Sequence, residues 1–360
     1  MTTSTYIHIP FCRQKCFYCS FVSFACPELI PEYLDALGKE IKQFYKGEHL
    51  KTIYLGGGTP SILSCGQIEK LLKPLNFSNS TEVTMELNPE HLEKKYLAEL
   101  KKLGVNRLSL GCQSFDREIL SAIGRKHTPQ EVEAAVKIAL ETGFENISLD
   151  FIYGLPNQTK EGFRKDLIKA KTLGIQHISL YGLKIDEGCY FYKNPPQNIA
   201  DEYLQAEMYL AAIETLSGFE HYEISNFALK GFESRHNLNY WHNESYYGFG
   251  AAAHGYENGE RYSNHETLKD YINAPLEKPY RHNLSAQEKL EEEIFLGFRR
   301  LEGINCKKIN EKFGINFEEK YSKILKKYFS SGHLEKTGCG WKLTNSGILV
   351  SNVILSEFIE

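Results

Sequence analysis

Three cysteines, Cys12, Cys16 and Cys19, sit in the stretch "HIPFCRQKCFYCSF" that spans residues 8 to 21. Three thiols at C-x3-C-x2-C spacing admit three chemistries. A structural zinc wants four ligands, and His8 or Cys26 could supply the fourth. A thioredoxin-like redox pair, Cys16 with Cys19, leaves Cys12 without a role. A [4Fe–4S] cluster takes one thiolate per iron, so three cysteines leave one iron open to a small molecule. The cluster uses all three thiols and tolerates Phe21 where a further cysteine could stand. It is the preferred reading. The "GGGTP" turn at 56–60 is the second chemical signal, because glycines let backbone groups approach a ligand closely.

These residues need a scaffold, and the chain supplies one. Strand-like segments at 5–9, 52–56, 82–87, 107–111, 147–154 and 177–183 alternate with helical patterns, clearest at 89–104, 129–143 and 159–174. A weak repeat sharpens the reading: "GVNRLSLG" (104–111), "GFENISLD" (143–150) and "GIQHISLY" (174–181) each begin with a glycine that ends a helix and continue into a short buried strand. Helix, glycine, strand, repeated, is the unit of a parallel α/β sheet with right-handed crossovers. Strand order is not readable at this level, so a partial (β/α)6 barrel and an open doubly wound sheet both fit. In either, function belongs at the carboxyl ends of the strands, where the Gly56–Thr59 turn, Glu86, Gln113, Asp150 and Tyr181 fall.

Residues 1–190 thus form the expected barrel with the cysteine loop. Residues 191–280 extend it, with an amphipathic helix at 200–218 and the unusual "SRHNLNYWHNESYYGFGAAAHGY" (234–256). Residues 281–360 read as helix, short helix, helix, hairpin ("LEKTGCGWKLT", 334–344) and a final helix, a winged-helix-like order. The boundary is expected in "INAPLEKPYRHN" (272–283), which carries two prolines.

Composition excludes several classes. With 360 residues, 42% hydrophobic and 24% charged, the chain suits a soluble globular protein. A net charge of −4 gives no support for nucleic-acid binding or a polybasic anchor, and the lysines of 317–330 read as one solvated helix face. No apolar run reaches membrane-spanning length, and "MTTSTYIHIPF" lacks the features of a signal peptide, so a cytoplasmic location is expected. The six remaining cysteines are scattered, as buried small side chains would be.

The cysteine spacing resembles that of the radical SAM superfamily. The further motifs "YIHIPFC", "GGGTPS", "ELNPE", "GVNRLSLGCQSF", "GRKH", "LDFIYGLP", "YEISNFA" and "HNLNYW" resemble the group that holds oxygen-independent coproporphyrinogen III oxidases and the related haem chaperones. The resemblance implies that S-adenosylmethionine (SAM) chelates the open iron and is cleaved to a 5′-deoxyadenosyl radical, with Tyr18 against the adenine. It implies that Tyr6, Gly57 and Glu86 contact that SAM. Gly58, Thr59, Gln113, Arg125 and Asp150 correspond to positions lining a second SAM in the oxidases.

Two departures favour the chaperone branch: Phe21 stands at the oxidases' fourth cysteine, and only eleven residues precede Cys12 where the oxidases carry an N-terminal extension. Separately, Lys184 does not match a small apolar contact of the oxidases, which leaves a complete second SAM site in doubt. The resemblance then implies haem as cargo, with His236 or His254 as candidate iron ligands, and apo-haemoproteins such as respiratory cytochromes as recipients. A homodimer and at most a peripheral membrane contact are compatible with it. Oxidative decarboxylation of coproporphyrinogen III is the alternative activity.

Overall fold

The structure is a computed structural model and describes residues 2–359. Strands β1 (Ser4–Ile9), β2 (Thr52–Gly57), β3 (Glu82–Leu87), β4 (Arg107–Gln113), β5 (Ile147–Tyr153) and β6 (His177–Gly182) lie side by side in that order, all parallel. A doubly wound sheet reverses its strand order at a switch point. This one never does, which decides between the two architectures left open above. Strand β7 (Glu220–Glu223) pairs with β8 (Asn226–Ala228), β8 runs antiparallel along β6, and β9 (Tyr247–Phe249) runs parallel along β1. The outer strands β7 and β9 do not meet. The wall is therefore a partial barrel.

Helices Ile30–Phe44, Cys65–Leu72, Lys94–Lys102, Pro129–Glu141 and Lys160–Thr172 cover its outside. Ser64 and Thr128 close capping boxes with Gln67 and Glu131, so local chemistry starts these helices where the sequence pattern does. The repeat glycines Gly104, Gly143 and Gly174 all have positive φ, as helix-ending residues require.

Each strand buries two different faces. Ile7, Ile53, Val83, Leu108, Leu149 and Ile178 are fully buried in the apolar core beneath the helices. The alternate positions are mostly polar and turn into the lumen: Tyr6 and His8, Tyr54, Thr84 and Glu86, Arg107 and Ser109, Ser148 and Asp150, His177 and Ser179. Barrel interiors are usually filled by branched aliphatic side chains. Here hydrogen bonds fill much of that role, such as Ser109 Oγ to Asp150 Oδ2 at 2.8 Å and His177 Nδ1 with Ser148 Oγ at 2.8 Å.

The expected single amphipathic helix at 200–218 runs over Glu202–Thr215 and serves two cores. Met208 and Ala212 belong to the barrel's, Tyr209 to that of the C-terminal region, and Ile213 packs against both. The segment 272–283, where the sequence places the domain boundary, is structured. It contains the end of helix Leu268–Asn273 and, after β10 (His254–Glu257) and β11 (Glu260–Ser263), the third strand of a small antiparallel sheet, β12 (Tyr280–Asn283). Between them Lys278 Nζ is buried against Glu40, a carboxylate that also accepts from Asn264 Nδ2 (2.7 Å), Tyr271 OH (2.6 Å) and Gly250 N–H (2.8 Å). Prolines 275 and 279 shape this segment while the ion pair fastens it to the barrel.

From Ala286 the chain forms helices Ala286–Gly297, Cys306–Phe313, Phe317–Lys320 and Ser322–Ser330. The hairpin β14 (Leu334–Lys336) and β15 (Gly340–Leu343) follows, with β13 (Ile304–Asn305) joining β15. The expected final helix is two short ones, Asn345–Leu349 and Ser351–Ser356.

Candidate functional site

The loop after β1 carries the cysteines across the carboxyl end of the barrel. Main-chain bonds tie its two limbs together: Cys12 N–H donates to Phe24 O (3.0 Å) and Phe24 N–H to Pro10 O (2.8 Å). Burial pushes the His8 imidazole down to about 4, so the ring is neutral. A neutral ring between these partners donates from Nε2 to Val22 O (2.9 Å) and accepts at Nδ1 from Tyr6 OH (2.8 Å). The middle of the loop is held by Phe17, whose ring lies 4.7 Å from that of Tyr190 and whose N–H donates to Ile123 O (3.0 Å).

The glycine turn is clipped to this loop. Gly58 N–H donates to Ile9 O (2.9 Å) and Thr59 N–H to Phe11 O (2.8 Å), while Thr59 Oγ1 reaches Cys12 Sγ at 3.5 Å. A Cβ on Gly57 would lie 2.5 Å from the His8 ring, and one on Gly58 would lie 2.7 Å from Phe11 O. The glycines are needed for this close passage of two loops. The Gly57 N–H then donates to Glu86 Oε2 (3.0 Å), whose other oxygen accepts from Tyr54 OH (2.8 Å).

A cavity of about 420 Å³ opens between the two loops and the strand ends. It is lined by Cys12, Cys16, Cys19, Tyr18, Gly57, Gly58, Thr59, Glu86, Gln113, Arg125 and Asp150. Phe21, Tyr181 and Lys184 line it as well. Gln113 is placed by a bulge at the end of β4, where its own φ is +65°. Arg125 is braced by the protein: it donates to Gly111 O (2.6 Å), Asn88 Oδ1 (3.0 Å) and His127 Nδ1 (3.2 Å), with Cys16 Sγ 3.8 Å away.

Two carboxyls, Glu86 and Asp150, line the cavity. Burial raises Glu86 to about 7 against the pull of Tyr54, and burial raises Asp150 despite its serine partners. Burial also raises Cys12 and takes Cys19 to about 11, so a metal bound at these thiols would have to displace protons. Among the described residues no three His, Cys, Asp or Glu side chains converge on a point that would hold a single metal ion.

Three expected residues lie elsewhere. Tyr6 is outside the cavity lining and backs His8. His236 is 1% exposed at the other end of the barrel, with Nδ1 2.8 Å from Thr52 Oγ1 and Nε2 2.7 Å from Tyr240 OH. It is a sealed core residue with no free nitrogen for an iron. His254 is exposed at the start of β10, outside the cavity lining.

The Radical SAM superfamily profile matches residues 6–169, and that of the HemN C-terminal domain matches residues 284–350. The haem chaperone HemW of Bacillus subtilis (strain 168) is 40% identical over 379 aligned residues, covering 99% of both chains. The chain belongs to the HemW family. HemW of Lactococcus lactis is 38% identical, covering 99% of this chain and 97% of its own, and HemW of Escherichia coli (strain K12) is 33% identical, covering 99% and 98%. The radical SAM coproporphyrinogen III oxidase HemN of Escherichia coli superposes with a TM-score of 0.88 over 99% of this chain and 90% of its own, at 23% identity. At that identity the likeness establishes a shared fold.

In this HemW-family chain, sequence reading missed Tyr54, Asn88 and Ser109, which hold Glu86, Arg125 and Asp150 respectively. A signal for two of them was present. Tyr54 and Ser109 stand two residues before Gly56 and Gly111, on the same strand face, and period-two counting back from the strand ends would have found them.

Proposed function

We propose that the chain binds a [4Fe–4S] cluster through Cys12, Cys16 and Cys19, holds SAM in the adjoining cavity, and carries haem to apo-haemoproteins such as respiratory cytochromes. The observation that carries this is the convergence of the three cysteines, the glycine turn and both buried carboxyls on one cavity of about 420 Å³. Three thiols suit a cluster, in which each serves a different iron, better than a lone zinc, which wants a fourth ligand. When bound, the cluster supplies an open coordination site for SAM and the electron that cleaves its sulfonium bond.

The chain's own residues do the positioning. Glu86, held by Gly57 and Tyr54, accepts from the ligand's ammonium group, and Tyr18 packs beside the adenine. Asp150 accepts from ribose hydroxyls. Arg125, fixed across the strand ends, keeps positive charge beside Cys16. No helix among the described residues is long and apolar enough to cross a membrane, which is compatible with the cytoplasmic location we assign.

The competing activity is coproporphyrinogen III decarboxylation, which the shared fold with HemN permits. Phe21 and Lys184, both at the cavity, weigh against it. The test is anaerobic reconstitution with iron and sulfide, followed by addition of SAM and then haem. An iron–sulfur charge-transfer band that responds to SAM, and a shifted Soret band retained through gel filtration, are the expected results. Stoichiometric zinc in place of iron and sulfide, or coproporphyrinogen turnover without haem retention, overturns the proposal.

A further inference from the structure

The two positions at which the sequence departs from the oxidase pattern, Phe21 and Lys184, are 163 residues apart in the chain. The fold brings both to the mouth of one cavity, Phe21 from the cysteine loop and Lys184 from just beyond β6. Phe21 is 69% exposed, and the neighbouring lining residue Tyr181 is 45% exposed. Large aromatic faces left uncovered around a cavity mark a surface that something covers. Lys15 lines the same mouth, and the Lys184 ammonium stands in solvent, 2.8 Å from Asp186. Two aromatic rings and two ammonium groups, from two separate elements, match a flat ring that carries two carboxylates. A tetrapyrrole is too large to share a cavity of about 420 Å³ with SAM, so it must lie across the opening.

We propose that this mouth is the porphyrin-binding surface: Phe21 and Tyr181 cover the ring face, and Lys184 with Lys15 takes the propionates. The inference rests on the haem-carrier reading above. It also says how the cargo is gripped. No histidine lines the cavity among the described residues, and His236 is sealed away. The hold is on the macrocycle and its acidic edge, not on the iron, and a propionate replaces Asp186 as the partner of Lys184.

The full chain, reconstituted with iron and sulfide, is titrated with haem, with metal-free protoporphyrin IX and with protoporphyrin IX dimethyl ester. Haem and protoporphyrin IX are expected to bind within about threefold of each other. Phe21→Ala should weaken both by about tenfold, at unchanged iron and sulfide content. Phe21 is exposed, so its truncation leaves the fold intact. Lys184→Ala should weaken the free acid and leave the dimethyl ester unchanged. Wild-type porphyrin affinity in both variants overturns the assignment. So does binding restricted to iron porphyrins and abolished by His254→Ala, which would place the grip on the metal. If the wild-type chain retains no haem, the carrier reading falls and takes this inference with it. Normal haem retention with unaffected variants removes only the mouth.

Discussion

Glu86 shows how one residue's surroundings set a measurable property. Its carboxyl titrates near 7 in the folded chain and near 4.5 when exposed. Between those values the folded state holds a proton that the unfolded state has lost, so this residue makes the fold lose stability as pH rises, on the order of 3 kcal/mol across the window. Glu86→Gln should flatten thermal stability between about pH 5 and 8. A cationic ligand reverses the preference, because it needs the carboxylate. SAM affinity should therefore increase as pH rises through about 7, and the glutamine variant should lose that dependence in calorimetric titrations. The identity of Glu86 was legible in the sequence from its motif and its place at a strand end. Its partner Tyr54 was passed over, because a tyrosine inside a strand reads first as core, although period-two counting puts it on the face of Gly56. The same ambiguity holds at His236, where a histidine beside aromatics reads as candidate ligand or as filler. In the structure both its ring nitrogens are hydrogen-bonded.

At the scale of elements, the cysteine loop and the glycine turn act as one piece. A methyl group on Gly58 would press on Phe11 O, Phe11 N and Cys12 Sγ at 2.7, 2.9 and 3.0 Å. Gly58→Ala should cost about 1–3 kcal/mol and lower the iron and sulfide bound on reconstitution. Gly38, exposed inside helix Ile30–Phe44 with nothing within 4 Å of a Cβ, is the control. Gly38→Ala should leave cluster loading alone and raise stability by about 0.5–1 kcal/mol in denaturant titrations. The six strands were legible because their apolar positions and flanking glycines are local signals. Their order was not, since adjacency depends on crossovers that no single segment encodes. The polar lumen was hidden too: a strand buried on both faces looks much alike whether its second face meets aliphatic side chains or hydrogen-bonded ones.

Across the whole molecule, distant segments are held by a few buried contacts. Glu40 and Lys278 lie 238 positions apart and join helix Ile30–Phe44 to the segment before β12. Lys278→Met strands a buried carboxylate and should cost about 3–5 kcal/mol by urea unfolding, part of which Glu40→Gln in the same chain restores. Nothing in the local sequence announces this pair, because two charged residues far apart in sequence look solvated until the fold seals them. Helix Glu202–Thr215 has a wider effect. With Met208 in one apolar cluster and Tyr209 in the other, neither cluster can loosen without uncovering part of its neighbour. Calorimetry of the full-length protein should accordingly record one endotherm, and a fragment cut before Ala286 should melt earlier and clump, its orphaned tyrosine face now wet.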